Sequence, residues 1–308
     1  MARLGELIQK QGYYSLQNEK YACFLTAILA VFPLTAWLSL AVMALIVLRK
    51  SWAAGLKILI TGMTVSICVA EIAGTMDVVL SGILLTYVTC YLASLLLRTT
   101  ASWQIVVGGM VMLAATGVLL THWLAPDYVI KQYNTLQAML SAVDSNNPVV
   151  DMLAHQNAEN KINLASSLLG IKAVSLIISV LFSLLLARAI QASLFNPGGF
   201  QREMLAFRAS KIAVIALIVC VYGTHQGNAI LLSCLPVFFV YLMLAGISLG
   251  LNLFVKKKRL VMMMMLLMPI ILMPYVVLPV YVLFGSIDSL FNLRSRLPVM
   301  AGESQSKG

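Results

Sequence analysis

The residues of this chain best suited to chemistry are ionisable side chains set inside or beside long apolar runs. Lys172 lies eight residues past Leu164, where one such run begins, and Glu71 and Asp77 stand at the turn that follows another. A charged group in hydrocarbon is costly and usually faces a partner or a cavity. We therefore expect Lys172 to pair with Glu71 or Asp77 and to line a pocket that suits a small polar ligand.

A polar turn, Gly223–Asn228, adds three side chains to this candidate site. The ligand-binding hypothesis therefore covers Lys172, Glu71, Asp77, His225, Gln226 and Asn228. Purely structural roles for the same residues remain open as alternatives. The acidic residues and His122 fit the headgroup region, Lys172 can extend its long stem toward water, and the turn can be simply solvated.

Catalytic, nucleotide-binding and metal-binding motifs are missing from the sequence. It contains no H-E-x-x-H, G-x-S-x-G, P-loop or G-x-G-x-x-G pattern. The three histidines lack metal spacing, and the five cysteines form no C-x-x-C pair and are typical of small buried hydrophobes. We expect no cofactor, no metal and no enzymatic activity, so active transport would need a partner ATPase or an ion gradient.

Composition defines the class of protein that must position these residues. The chain of 308 residues is 61% hydrophobic and only 10% charged, with a mean hydropathy of +0.94, whereas soluble proteins have about 25% charged residues. Its apolar runs of about 20 residues have the length of membrane-spanning helices. We predict an all-α, polytopic transmembrane bundle whose main partner is the lipid bilayer. The net charge of +10 fits basic turns beside these runs rather than nucleic-acid binding.

About eight spans are predicted, within a transmembrane domain at 21–285 between an interfacial tail at 1–20 and a C-terminal tail at 286–308. One long extracytoplasmic loop is expected at about 125–163, and part of it, Leu136–Val143, repeats apolar residues at helical spacing. A basic cytoplasmic loop is expected at about 188–211. The spans lie at about 21–48, 54–73, 78–97, 103–124, 164–187, 212–222, 229–255 and 260–284.

Basic residues set the orientation of the middle of the chain. Only Lys131 and Lys161 fall in the internal outside turns, and this unequal distribution of basic residues orients the middle of the chain. We expect a multi-pass protein of the cell inner membrane. The sides of the two tails stay open, because breaks at Pro33 and near Pro274 would return both tails to the cytoplasm. The cytoplasmic turns hold Arg49, Lys50, Lys57, Arg98, Arg188, Arg202, Arg208, Lys211, Lys256, Lys257, Lys258 and Arg259.

The basic loop contains the sharpest break in the chain, Asn196-Pro197-Gly198-Gly199. It stands in Gln191–Phe200, Gln-Ala-Ser-Leu-Phe-Asn-Pro-Gly-Gly-Phe, which is followed by Glu203 and Phe207-Arg208. This segment resembles one in the uncharacterised YybS-like family of bacterial multi-pass membrane proteins. Two further similar stretches, at 33–50 and 283–294, extend the resemblance over most of the chain, although the family's Arg-rich end is here only Arg294-Ser295-Arg296.

The resemblance implies a fold distantly similar to the substrate-binding components of energy-coupling-factor vitamin transporters, and fold alone does not give function. We therefore carry two hypotheses. In the first, the chain is a transport component that binds a small ligand in an outward-facing pocket. In the second, it is a structural or scaffold protein that recruits envelope or cytoplasmic partners. A membrane enzyme is the least favoured reading. Under either main hypothesis the docking residues would be Asn196, Pro197, Gly198, Gly199, Phe200, Arg202 and Arg208.

Overall fold

Helices account for every regular element of the computed structural model in the residues that it describes, which are 2–143, 157–196, 198–254 and 268–296. This confirms the predicted all-α bundle. The helices are α1 (Ala2–Gln17), α2 (Glu19–Val31), α3 (Ala36–Arg49), α4 (Trp52–Ile72), α5 (Met76–Thr100), α6 (Trp103–Leu124), α7 (Pro126–Val143), α8 (Ala158–Phe195), α9 (Gly199–Ala206), α10 (Lys211–His225), α11 (Ala229–Phe254), α12 (Pro274–Phe291) and α13 (Leu293–Arg296).

Six of these helices, α4, α5, α6, α8, α11 and α12, are long and apolar enough to cross a membrane, which makes the chain a multi-pass membrane protein. A seventh candidate is the pair α9 and α10, which is bent by 49°. The predicted number of eight is therefore reduced to six or seven among the described residues. Most of the difference lies at the first predicted span, and residues 260–267 of the last one lie outside the described ranges.

The apolar run at 21–48 forms two short helices instead of one span. The helix α2 has 13 residues and α3 has 14, so each is about 20 Å long, short of the roughly 30 Å hydrocarbon thickness. A 3₁₀ turn at Pro33–Thr35 separates them, as expected for a proline that cannot donate to the preceding turn. Thr35 caps α2, since its hydroxyl donates to the carbonyl of Leu29 at 2.8 Å. The two helices form a re-entrant hairpin.

The helix α3 lies at the centre of the bundle. Met43, Ala44, Ile46 and Val47 are fully buried, because α3 packs against α2, α4, α5 and α8. Its one buried polar side chain, Ser39, lies 2.7 Å from the hydroxyl of Tyr87 on α5. A hairpin that spans only part of the bilayer is therefore held by packing on all sides.

The start of α2 and the C-terminal helix α13 lie at one end of the bundle. We call this the basic end, because it holds the α3–α4, α5–α6 and α8–α10 connections, and we call the opposite one the far end. Glu19 at the start of α2 pairs with Lys50 after α3 at 2.8 Å, and Arg294 in α13 donates to the carbonyl of Leu205 after α8. The positive-inside rule predicts a cytoplasmic location for the basic end.

Close backbone contact fixes the position of α12. A Cβ added at Gly246 in α11 would lie 2.0 Å from the carbonyl oxygen of Tyr281, and one at Gly285 in α12 would lie 2.0 Å from that of Leu242. Small residues allow such approach between membrane helices, where packing drives association. This contact brings the C-terminal end of α12 to the basic end of the bundle.

Candidate functional site

Lys172 forms a polar cluster with side chains from two other helices. Its Nζ donates to the hydroxyl of Tyr128 at 2.7 Å, and that hydroxyl lies 3.1 Å from Oγ of Ser81. The ammonium also lies 5.2 Å from the centre of the Tyr128 ring, within the range of a cation–π contact. We call these three residues, from α8, α7 and α5, the Lys172 cluster.

The amphipathic helix α7 positions Tyr128. It begins at Pro126, directly after α6 ends, and proline is favoured in the first helical turn. Val129 and Tyr133 are buried where α7 packs on α8, and this face places Tyr128 beside Lys172. The predicted helical spacing at Leu136–Val143 is confirmed as the second half of α7, whereas the predicted turn at 144–148 lies outside the described residues.

The Lys172 cluster carries a positive charge without a carboxylate partner among the described side chains. Burial raises the pKa of Tyr128, but hydrogen bonds from Lys172 and Ser81 outweigh it, so the pKa lies below its ordinary value of 10. An ammonium has three donors, and within the described ranges Lys172 uses one of them, on Tyr128. No described side chain accepts from the other two.

The other predicted ligand-binding residues are not joined to Lys172 by any hydrogen bond or ion pair among the described side chains. Glu71 is exposed at the end of α4, and the Asp77 side chain lies outside the described part. His225 and Gln226 are exposed in the α10–α11 turn. Asn228 has a structural task, because its Oδ1 accepts the backbone N–H groups of Ile230 and Leu231 and so caps α11. Among the described side chains Lys172 bonds to Tyr128 and not to Glu71, and the other predicted partner, Asp77, lies outside them.

His122 and Ser233 meet where α6 and α11 approach each other, with His122 Nε2 2.9 Å from Ser233 Oγ. The serine hydroxyl donates to the carbonyl of Ala229 at 3.1 Å. Which of the two side chains donates in the His122–Ser233 contact depends on the histidine tautomer. The contact ties α6 to α11.

At the basic end, an ion pair holds the predicted docking loop against the bundle. Arg188 in α8 contacts both carboxylate oxygens of Glu203 in α9, and the indole of Trp103 in α6 donates to the same carboxylate at 3.0 Å. Burial raises the pKa of Glu203, but the hydrogen bonds from Arg188 and Trp103 outweigh it, and the pKa lies below its ordinary value. Arg188, one of the arginines of the predicted docking loop, is therefore engaged in an ion pair within the protein.

The C-terminal end of α9 is capped by side chains from α11 and α13. Ser248 donates to the carbonyl of Met204 at 2.6 Å, and Asn252 donates to that of Leu205 at 3.0 Å. Arg294 donates to Leu205 as well, and its Nε donates to the fully buried carboxylate of Asp288 at 2.9 Å. Free carbonyls at a helix end need such partners. Two stretches of the resemblance, in the loop and near the C-terminus, therefore meet in space.

The seven predicted docking residues have different exposures. Asn196, Gly198 and Arg202 are exposed, and Pro197 lies outside the described residues. Gly198 has a φ of +88°, which favours glycine, and Gly199 is half-buried. Phe200 packs against the core. Arg208 is half-buried and makes one long hydrogen bond, of 3.4 Å, to the carbonyl of Ser289. The exposed part of the loop is its tip.

Sequence reasoning missed the partners of both sites. Tyr128 stands in an amphipathic segment without a motif, and its role follows only from how α7 folds back on α8. Asp288 could have been identified as a paired residue, because it is a carboxylate directly after the last apolar run. Ionisable residues at such positions are usually paired.

Comparison of the chain with protein-family models, with curated proteins and with solved structures gives no match.

Proposed function

We propose that this chain is an inner-membrane protein that binds a small ligand bearing a carboxylate or phosphate at the Lys172 cluster, as a component of a transport system. The observation that supports this is a half-buried lysine whose only polar partner among the described residues is a phenol. A charge at membrane depth is costly without a counter-charge. An anionic ligand supplies that counter-charge and accepts hydrogen bonds from the two ammonium donors that no described side chain engages.

The neighbours of Lys172 suit the orientation of such a ligand. Tyr128 holds the ammonium, Ser81 bonds to the hydroxyl of Tyr128, and the two residues present hydroxyl groups from two helices. Small-ligand sites combine an apolar surround with a few polar groups of this kind. Here the apolar side chains of the bundle form that surround, and the positive charge of the Lys172 cluster selects the anionic end of the ligand.

The position along α8 favours access from the far end. Lys172 lies sixteen residues before Arg188 in the continuous helix, which is about 24 Å along the axis. Arg188 belongs to the basic end, so Lys172 lies in the far half of the molecule. The proposed site is therefore outward-facing when the basic end is cytoplasmic.

The resemblance to the YybS-like family supports a transport role by analogy with the vitamin-binding components. Because the sequence has no ATP site, energised transport needs a partner ATPase or an ion gradient. The exposed tip of the basic loop, with Asn196 and Arg202, is the surface we propose for a cytoplasmic partner. We propose no catalytic role for any residue.

A scaffold role is the alternative, and the docked loop favours it. The ion pair of Arg188 with Glu203 and the capping of α9 hold α9, which follows the loop tip, against the bundle, as a fixed recognition surface requires. Such a protein would need its partners and no ligand. The two functions can therefore be distinguished by whether a small molecule co-purifies with the protein.

The test is gentle purification from native membranes, followed by mass spectrometry of the small molecules that remain bound. Wild-type protein should retain a stoichiometric anionic compound, and Lys172→Leu should lose it. Lys161→Leu is the matched control, because it makes the same change near the start of α8 and should retain the compound. Retention by Lys172→Leu, or a wild-type protein that carries only partner proteins, would refute the ligand site and leave the scaffold.

A further inference from the structure

A cavity of about 540 Å³ lies where α1 meets α2, at the basic end of the bundle. Its volume is within the range of small-ligand sites, roughly 300–1,000 Å³. Asn18 forms the joint between the two helices, because its Oδ1 accepts the backbone N–H of Lys20 at 3.0 Å and so caps α2. The cavity is lined by Lys10, Gln11, Tyr14, Gln17, Asn18 and Tyr21, and we call it the α1–α2 cavity.

The α1–α2 cavity opens on the side of α1 that is turned away from the bundle. The opposite side of α1 packs inward, since a Cβ added at Gly12 would lie 2.6 Å from the side chain of Ile190 and Ser15 is buried. With 3.6 residues in each turn, Lys10 and Tyr14 lie about half a turn around the helix from Gly12. A small molecule in solution can therefore reach the cavity without separating the helices of the bundle.

The lining of the cavity is rich in hydrogen-bond donors. Oε1 of Gln11 accepts from the hydroxyl of Tyr21, and Oδ1 of Asn18 accepts from the backbone of Lys20, so both amides keep their NH₂ groups as donors. Lys10 adds an ammonium that pairs with no described carboxylate. Such a set suits an anionic ligand with many acceptor atoms, such as a phosphate ester.

Two aromatic rings and a third amide complete the lining. The ring centroids of Tyr14 and Tyr21 are 6.4 Å apart in an edge-to-face arrangement, and Tyr14 is 46% exposed, so a face of its ring is open. Nucleobases stack on open aromatic faces of this kind. The amide of Gln17 makes no hydrogen bond to another described side chain, and a free amide can pair with the edge of a base.

We propose that the α1–α2 cavity binds a nucleoside monophosphate on the basic side of the membrane. The base stacks on Tyr14 and meets the amide of Gln17, and the phosphate binds Lys10. Gln11 and Asn18 donate to the remaining acceptors of the ligand. These contacts come from side chains at a helix joint, where no glycine-rich loop is needed. The site lies at the opposite end of the bundle from the Lys172 cluster and does not depend on the ligand proposed there.

The test is equilibrium dialysis of the purified full-length protein in detergent against adenosine monophosphate. Wild-type protein should bind about one molecule per chain, and both adenosine and ribose 5-phosphate should bind at least about tenfold more weakly. Lys10→Gln should weaken binding of adenosine monophosphate about tenfold, the loss expected for a charge-assisted hydrogen bond. Tyr14→Leu should weaken it about tenfold through lost stacking and should leave the binding of ribose 5-phosphate unchanged.

Lys20→Gln is the matched control, because it removes an exposed lysine that follows the joint but does not line the cavity, and it should bind as wild type does. Failure of wild-type protein to bind adenosine monophosphate would refute the proposal. Equal binding of ribose 5-phosphate would refute the stacked base, and equal losses in Lys10→Gln and Lys20→Gln would show attraction to overall charge. Displacement of adenosine monophosphate by equimolar inorganic phosphate would assign the cavity to a free anion.

Discussion

Replacing Arg294 by methionine tests how the basic end is held together. The change removes the partner of a fully buried carboxylate, Asp288, whose second oxygen already has no hydrogen bond. It also removes donors to the carbonyl of Leu205 and to Ser248. Breaking a buried pair by removing one partner costs about 3–5 kcal/mol, because it leaves an unpaired charge. We expect Arg294→Met to destabilise the protein by about that amount.

The assay is equilibrium unfolding in mixed micelles with a rising fraction of a denaturing detergent. Lys57→Met is the control, because it removes a lysine that is 69% exposed from an ion pair with Glu19. Exposed pairs contribute little to stability, and we expect a change too small to measure.

A double variant separates the charge effect from the capping effect. Asp288→Leu combined with Arg294→Met removes both charges and leaves an apolar contact, so most of the lost stability should return. The remaining deficit should be about 0.5–1.5 kcal/mol for each capping hydrogen bond to α9 that is lost. Equal effects of Arg294→Met and Lys57→Met, or no recovery in the double variant, would refute the reasoning.

Three further predictions address single contacts. Tyr128→Phe removes only the hydroxyl that holds Lys172 and should weaken retention of the proposed ligand about fivefold to tenfold by quantitative mass spectrometry, whereas unchanged retention would remove Tyr128 from the site. Because the pKa of Glu203 lies below its ordinary 4.5, its contribution to stability is present above that pH and is lost as the pH falls through the lowered pKa. The stability gap between wild type and Glu203→Gln in the unfolding assay should therefore close as the pH falls below 4.5 through the lowered pKa, and a constant gap would contradict the assignment. Gly246→Ala should destabilise by about 1–3 kcal/mol, since the new Cβ would lie 2.0 Å from a backbone oxygen of Tyr281, whereas Gly82→Ala, with open space around it, should cost much less in the same assay.

Helices whose ends are marked by particular residues could be predicted from the sequence. The span at 103–124 coincides with α6 because Trp103 and the polar segment after Leu124 mark its ends. The helix α8 was predicted at 164–187 but runs over Ala158–Phe195. A change from apolar to polar residues ends a membrane span, but a helix continues until its backbone is interrupted, here near Pro197.

The site was harder to predict than the fold, because its contacts are made between helices. Lys172 was identified by its depth in an apolar run, but its partner is set by the packing of α7 on α8. The hairpin at Pro33 does not follow from the sequence, because one kinked helix and two short helices have the same hydropathy pattern. The ion pair of Glu19 with Lys50 distinguishes them, and such a pair requires the tertiary structure.

The most direct test of the central proposal is the side from which the Lys172 cluster is reached. Ser81→Cys, in a background without the five native cysteines, would be exposed in intact cells to a membrane-impermeant maleimide. Lys57→Cys marks the basic end. We predict that Ser81→Cys is labelled from outside, whereas Lys57→Cys is labelled only after the membrane is permeabilised. Labelling of Ser81→Cys only from the cytoplasmic side would contradict an outward-facing site at Lys172.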